Sequence, residues 1–68
     1  MNEDNLNMEI RKFLKNVGIS SQRFLEKEIL DANNQGTVIN GSEIEIEMTL
    51  SIKSLNKNNT IIGKIKIS

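Results

Sequence analysis

Between residues 43 and 53, apolar and polar side chains alternate without interruption, and this run constrains the fold more than any other feature of the chain. The apolar positions are Ile44, Ile46, Met48, Leu50 and Ile52. Successive side chains of a strand point to opposite faces of a sheet, so a period of two indicates a half-buried strand. We therefore predict a β-strand over about residues 43–53.

A second strand is predicted over about residues 60–67, after a polar turn. Lys64 and Lys66 alternate with apolar residues there, and the first strand carries glutamates on its polar face. Opposite charges on facing positions stabilise an antiparallel pair, so we expect glutamates opposite lysines. One alignment places Glu47 opposite Lys64, and a shift of one residue on each strand places it opposite Lys66. The register therefore stays open.

The first half of the chain follows a helical rhythm, because its apolar residues recur with the spacing of one face of an α-helix. Gly18 follows the last residue of the first periodic segment and is interpreted as a glycine C-cap. Ser20 or Ser21 is then interpreted as the N-cap of a second helix. We predict two helices, over about residues 4–17 and 21–35, joined by a tight corner.

The rhythm changes near Gly36, which is expected to stop the second helix. A lone hairpin is marginal in water, so its apolar face is expected to lie on the helices. The predicted fold class is α+β, a two-layer single small domain over residues 1–68 in which a helix-turn-helix pair precedes an antiparallel β-hairpin. Residues 37–39 are a candidate short third strand, because Asn40-Gly41 is a favoured hairpin turn.

The composition excludes several classes of activity. The 68 residues include no His and no Cys, so the chain lacks the usual general base near neutral pH and the thiolate nucleophile. Nine basic and nine acidic residues give a formal net charge of zero, which argues against coating nucleic acid or an anionic membrane. We expect a cytoplasmic protein that is not an enzyme and that binds no metal, cofactor, membrane or small-molecule substrate.

The predicted corner at residues 17–22 is similar to the turn of a DNA-binding helix-turn-helix with a β-wing. Two positions fit badly, because Leu14 stands where a small residue is needed and Lys27 where an apolar one is expected. The second helix also carries one more acidic than basic residue, so it repels phosphate about as much as it attracts it. Nucleic-acid binding through Arg23 and Lys27 is therefore the alternative hypothesis.

Phe24 lies beside the apolar stripe of the predicted second helix and not at its centre. Aromatic side chains at such positions often anchor interfaces, although packing within the monomer is equally consistent with the pattern. Together with Arg23 and Lys27, Phe24 forms the candidate interface.

A row of glutamates, Glu43, Glu45 and Glu47, lies on one face of the predicted first strand. Carboxylates at this spacing could converge on a hard cation, but calcium sites usually add loop carbonyls and six or more oxygens. We interpret the row as a solvated strand face that discourages edge-to-edge aggregation.

Several segments resemble a domain-of-unknown-function family of short bacterial proteins of about this length. They are the opening Met-Asn-Glu-Asp, the run at residues 7–15, the run at residues 17–23, and Gly36, Gly41, Glu43 and residues 48–52. Phe24 departs from the family pattern, in which a polar residue is usual, so an interface role for Phe24 does not follow from the resemblance. The resemblance implies a small bacterial protein and transfers no catalytic residue.

The leading hypothesis is a non-enzymatic protein-interaction module or small subunit that binds a protein partner or its own copies. It rests on the small size of the chain, the absence of a covalent staple and an uncovered strand edge.

Overall fold

The computed structural model describes residues 1–68 and contains one long helix and one hairpin. The elements are α1 (Glu3–Asn34), β1 (Glu43–Ile52), a 3₁₀ turn (Lys53–Leu55) and β2 (Lys57–Lys66). The helix belongs to the compact unit Met1–Thr37 and the hairpin to the compact unit Val38–Ser68. The α+β class is confirmed.

The predicted helix-turn-helix pair is wrong, because α1 runs without a break through Gly18, Ser20 and Ser21. A glycine inside a helix costs only about 1 kcal/mol relative to alanine. Ending one helix and starting another leaves several backbone groups without intrahelical partners, so a corner needs packing that compensates for them. The apolar spacing also continues in phase across Gly18, so nothing in the pattern requires the chain to turn there.

Both ends of α1 have clear local causes. At the start, the side chain of Asn2 accepts a hydrogen bond from the Asn5 amide at 3.0 Å, which caps the helix. At the end, Gly36 adopts a φ of 79°, its amide donates to Asn33 at 3.1 Å, and the Thr37 amide donates to Ala32 at 2.9 Å. These two bonds form a Schellman motif. The prediction that Gly36 stops the helix is confirmed.

The hairpin is antiparallel and pairs Glu43 with Lys66 and Glu45 with Lys64. Glutamates therefore face lysines, but in neither of the two predicted registers, because Glu47 faces Ile62. The reason is the turn, which is shorter than expected. The 3₁₀ turn and Asn56, which has a φ of 52°, close the hairpin, so β2 begins already at Lys57.

The predicted short third strand at residues 37–39 does not form. Instead, the Ser42 amide donates to the carbonyl of Ile39 at 3.2 Å, which closes a turn around Asn40 and Gly41. The Gly41 amide donates to the carbonyl of Ile67, and the Ile67 amide donates to the carbonyl of Ser42 at 2.9 Å. Gly41 and Ser42 therefore both lie opposite the single residue Ile67. With Gly41 at a φ of 92°, this arrangement is a glycine β-bulge that starts the hairpin.

No side chain of the chain is buried. On α1 the half-buried apolar residues are Val17, Leu25, Ile29 and Ala32, and on the strands they are Ile44, Ile46 and Ile65. Val38 and Ile67, outside these elements, are half-buried as well, and the other large apolar side chains of the two units are exposed. No helix of the chain combines the length and hydropathy that crossing a membrane requires.

Candidate interaction surfaces

The apolar stripe of α1 is the longest candidate surface. We define it by the apolar residues that share one side of the helix: Leu6, Ile10, Phe13, Leu14, Val17, Phe24, Leu25, Ile29 and Ala32. Much of it repeats every 11 residues, since Leu6 precedes Val17, and Phe13 precedes Phe24, by that interval. An 11-residue repeat corresponds to about 3.67 residues per turn, close to the natural period of a helix. The stripe therefore stays on one side of α1 along its whole length.

The N-terminal half of this stripe and Phe24 are open to solvent. Leu6, Ile10, Phe13 and Leu14 are 40%, 45%, 58% and 47% exposed, and Phe24 is 64% exposed. Soluble chains seldom leave a long row of large apolar residues open without a binding role. The stripe is thus a long exposed apolar surface, which makes it a candidate for binding.

The three residues singled out from the sequence all lie on α1 and close together. Phe24 belongs to the apolar stripe, and Lys27 lies one helical turn further along the helix. The Lys27 ammonium lies 3.4 Å from the Asp31 carboxylate and 3.7 Å from that of Glu28, so its charge is largely balanced within the helix. Arg23 precedes Phe24 on the polar side. The segment therefore offers an aromatic anchor with a mixed charged border.

No recognition helix exists for the nucleic-acid alternative. The corner at residues 17–22, on which that hypothesis depended, is the interior of α1. The acidic partners of Lys27, within 4 Å, further lower the attraction of this segment for phosphate.

The second candidate surface is the apolar face of the hairpin. In the observed register Ile44 faces Ile65 and Met48 faces Ile61. All five apolar residues of β1 share this face, and the odd-numbered apolar residues of β2 join them, because facing residues of an antiparallel pair lie on the same side. Near the turn this face is open, with Leu50 37% and Ile61 61% exposed.

The opposite face of the hairpin is mostly polar, with the exposed Ile62 facing Glu47. It carries the glutamate row with its facing lysines, and further along a hydrogen bond of 3.1 Å joins the hydroxyls of Thr49 and Thr60. No group of three or more acidic residues is placed to hold a metal ion. In the observed register Lys66 and Lys64 face Glu43 and Glu45, so the row lies beside charges of opposite sign.

A shallow hollow of about 120 Å³ lies near the hairpin turn, lined by Leu50, Ile52, Lys57, Asn58 and Asn59. Sites for small molecules usually measure about 300–1,000 Å³ and enclose most of the ligand. This hollow is too small and too open to suggest a small-molecule site.

The sequence reasoning missed the continuity of the apolar stripe, although a signal for it was present. The 11-residue repeat relates Phe13 to Phe24 and Leu14 to Leu25, across the supposed corner. A corner between two helices would not have to preserve this 11-residue spacing. Because α1 is continuous, Phe24 repeats the position of Phe13 on the helix, and it borders the half-buried residues Leu25, Ile29 and Ala32.

The comparisons with known proteins give one match. A family model described as a family of unknown function (DUF6494) matches residues 1–68. The comparison with curated proteins finds no match, and neither does the comparison with solved structures.

Proposed function

We propose that this chain, which belongs to the family of unknown function DUF6494, is a non-enzymatic protein-interaction module that docks through the apolar stripe of α1. The family brings no activity with it, so the proposal rests on the surface of the chain. The single observation that carries it is the row of large apolar side chains left open along the helix.

Two phenylalanines anchor the proposed surface. Aromatic side chains bury about 150–250 Å² each in an interface and are frequent among the residues that dominate binding energy. Phe13 and Phe24, one repeat apart and 58% and 64% exposed, place such an anchor in each half of the stripe. A partner with a matching apolar groove would receive both.

The expected affinity is moderate. Burying a large apolar side chain completely contributes about 1.5–3 kcal/mol, and the exposed members of the stripe are about half open, so each contributes about 1 kcal/mol. Association itself costs at least about 4 kcal/mol in lost freedom of motion. The free energy contributed by five such side chains therefore only modestly exceeds that cost. Polar contacts along the border of the stripe have to supply the remaining binding free energy.

The test compares two aspartate variants of the same helix, Phe24→Asp and Leu30→Asp. Leu30 is 61% exposed, nearly as open as Phe24, but it lies on the side of α1 away from the stripe. We expect tagged wild-type chain and Leu30→Asp to retain the same protein from native lysate, identified by mass spectrometry after nuclease treatment, and Phe24→Asp to lose it. Circular dichroism of both variants controls for loss of helix.

Retention by Phe24→Asp, or equal loss in both variants, would contradict docking through the stripe. Recovery that disappears after nuclease treatment would contradict a protein partner.

A further inference from the structure

We propose that the free edge of β1 pairs with β1 of a second copy of the chain, antiparallel and centred on Met48, to form a four-stranded sheet. The β1 edge and the apolar stripe of α1 share no residue, so the inference goes beyond the proposed function and does not depend on it.

The free edge presents a regular set of backbone groups. β1 has β2 as its neighbour on one side only, in an unbroken ten-residue register. The Ile67 amide bonds to Ser42, and hydrogen-bonded positions alternate in an antiparallel pair, so even-numbered residues of β1 direct their backbone groups to β2. The odd-numbered residues, from Glu43 to Ser51, direct theirs to the free edge. No proline or bulge interrupts this edge within β1.

A second copy would stabilise the hairpin. An isolated two-stranded hairpin is marginal in water, and three or more strands with an apolar face are needed for independent stability. No side chain of this hairpin is buried, and near its turn Met48, Leu50 and Ile61 are exposed. Pairing two β1 edges doubles the strand number and joins two apolar faces into one.

Side-chain alternation leaves two registers that come closest to complete overlap. Complete overlap of two antiparallel strands Glu43–Ile52 would centre between Glu47 and Met48, which would place apolar residues opposite polar ones. The centre must therefore shift by half a residue, onto Glu47 or onto Met48. Centring on Glu47 sets the two Glu47 carboxylates directly opposite each other, which destabilises the pair. Centring on Met48 avoids this.

In the register centred on Met48, every glutamate of β1 meets a neutral or basic residue of the second copy. Glu47 faces Thr49, Glu45 faces Ser51, and Glu43 faces Lys53, which directly follows the strand. The apolar face matches as well, because Ile46 then faces Leu50 and Ile44 faces Ile52. The acidic start of the strand is thus complementary to the neutral end of a reversed copy and to the lysine that follows it.

The other edge of the hairpin is less suited to self-pairing. β2 carries Lys57, Lys64 and Lys66 and no acidic residue. Two copies of β2 would gather six lysines in one sheet with no carboxylate between the strands. Pairing of β1 with β2 of another copy is a head-to-tail contact, which continues from copy to copy into rings or open chains of molecules.

Engineered cysteines test the register, because the natural chain contains none. Met48 would sit opposite its own copy in a non-hydrogen-bonded pair, with the Cα atoms about 4.5 Å apart, which lies within the range that a disulfide spans. We expect Met48→Cys to form a covalent dimer under mild oxidation at least tenfold faster than Leu50→Cys. Leu50 shares the same face and is comparably exposed, 37% against 40%, but two Leu50 residues would lie about 13 Å apart along the strands. Equal rates, or faster cross-linking through Leu50, would overturn the proposed register.

Variants of Thr49 test the charge pattern without a cross-link. Thr49→Glu sets a carboxylate opposite Glu47 of the second copy, twice per dimer, whereas Thr49→Lys sets an opposite charge there. Both variants lose the hydrogen bond to Thr60, so they are matched. In sedimentation equilibrium we expect Thr49→Glu to weaken the dimer about tenfold relative to Thr49→Lys.

A wild-type chain that stays monomeric up to high micromolar concentration, or that forms open-ended polymers, would overturn the inference. Neither result would bear on docking through α1, because the two proposed surfaces share no residue. For the same reason, Phe24→Asp is expected to leave the sheet dimer intact.

Discussion

Gly18 and Gly36 both lie in the helical unit, but only Gly36 has a backbone conformation that favours glycine. Gly18 sits inside α1, and a Cβ added there meets no atom within 4 Å. Gly36 also has open space, but its φ of 79° is a conformation that side chains with a Cβ disfavour. The same substitution at these two positions therefore separates helix propensity from backbone strain.

We expect Gly18→Ala to stabilise the helical unit by about 1 kcal/mol, because alanine favours the helix interior over glycine by about that amount. The thermal unfolding curve at 222 nm should shift to higher temperature with a larger helical signal. A loss of helical signal would instead indicate that the chain turns at Gly18 in solution.

Gly36→Ala should act in the opposite direction and destabilise the end of α1 by about 1–2 kcal/mol, since the left-handed conformation is costly for alanine. Amide hydrogen exchange is the suitable measurement, because the loss should be concentrated at the Gly36 and Thr37 amides that close the helix. Unchanged protection of both amides would show that the glycine conformation is not required.

At the scale of elements, the sequence predicts the hairpin and the outer ends of the helical region but not the single helix. Strict alternation is a local property, so it predicts β1 to within a residue, and Asn2 and Gly36 act through neighbours a few residues away. The middle of α1 differs because Gly18 followed by serines is compatible with both a corner and a continuous helix. A choice between them depends on packing that single residues do not specify.

The hairpin register and the candidate surface are likewise only partly predictable from the sequence. Glutamate opposite lysine was predictable from charge, but the residue pairs depend on the turn, where Asn56 takes a left-handed conformation that shortens the loop. The spacing makes Phe24 a candidate, whereas the full stripe follows only when the two predicted helices are one.

At the scale of the molecule, a chain without buried side chains should depend on association for much of its stability. We therefore expect the unfolding midpoint to rise by several degrees when the concentration of the chain increases a hundredfold. Differential scanning fluorimetry with an extrinsic dye, or circular dichroism in cells of different path length, can cover that range. A midpoint independent of concentration would show that the single chain is sufficient.

The absence of buried side chains also determines where the heat-capacity signature of this protein should appear. Unfolding usually raises the heat capacity by about 12–15 cal/mol/K per residue, mainly because apolar surface becomes hydrated. The exposed stripe and hairpin face are already hydrated in the folded chain, so little of that change remains for unfolding. Their dehydration would accompany binding instead, and a large negative heat-capacity change on association is therefore expected in calorimetry.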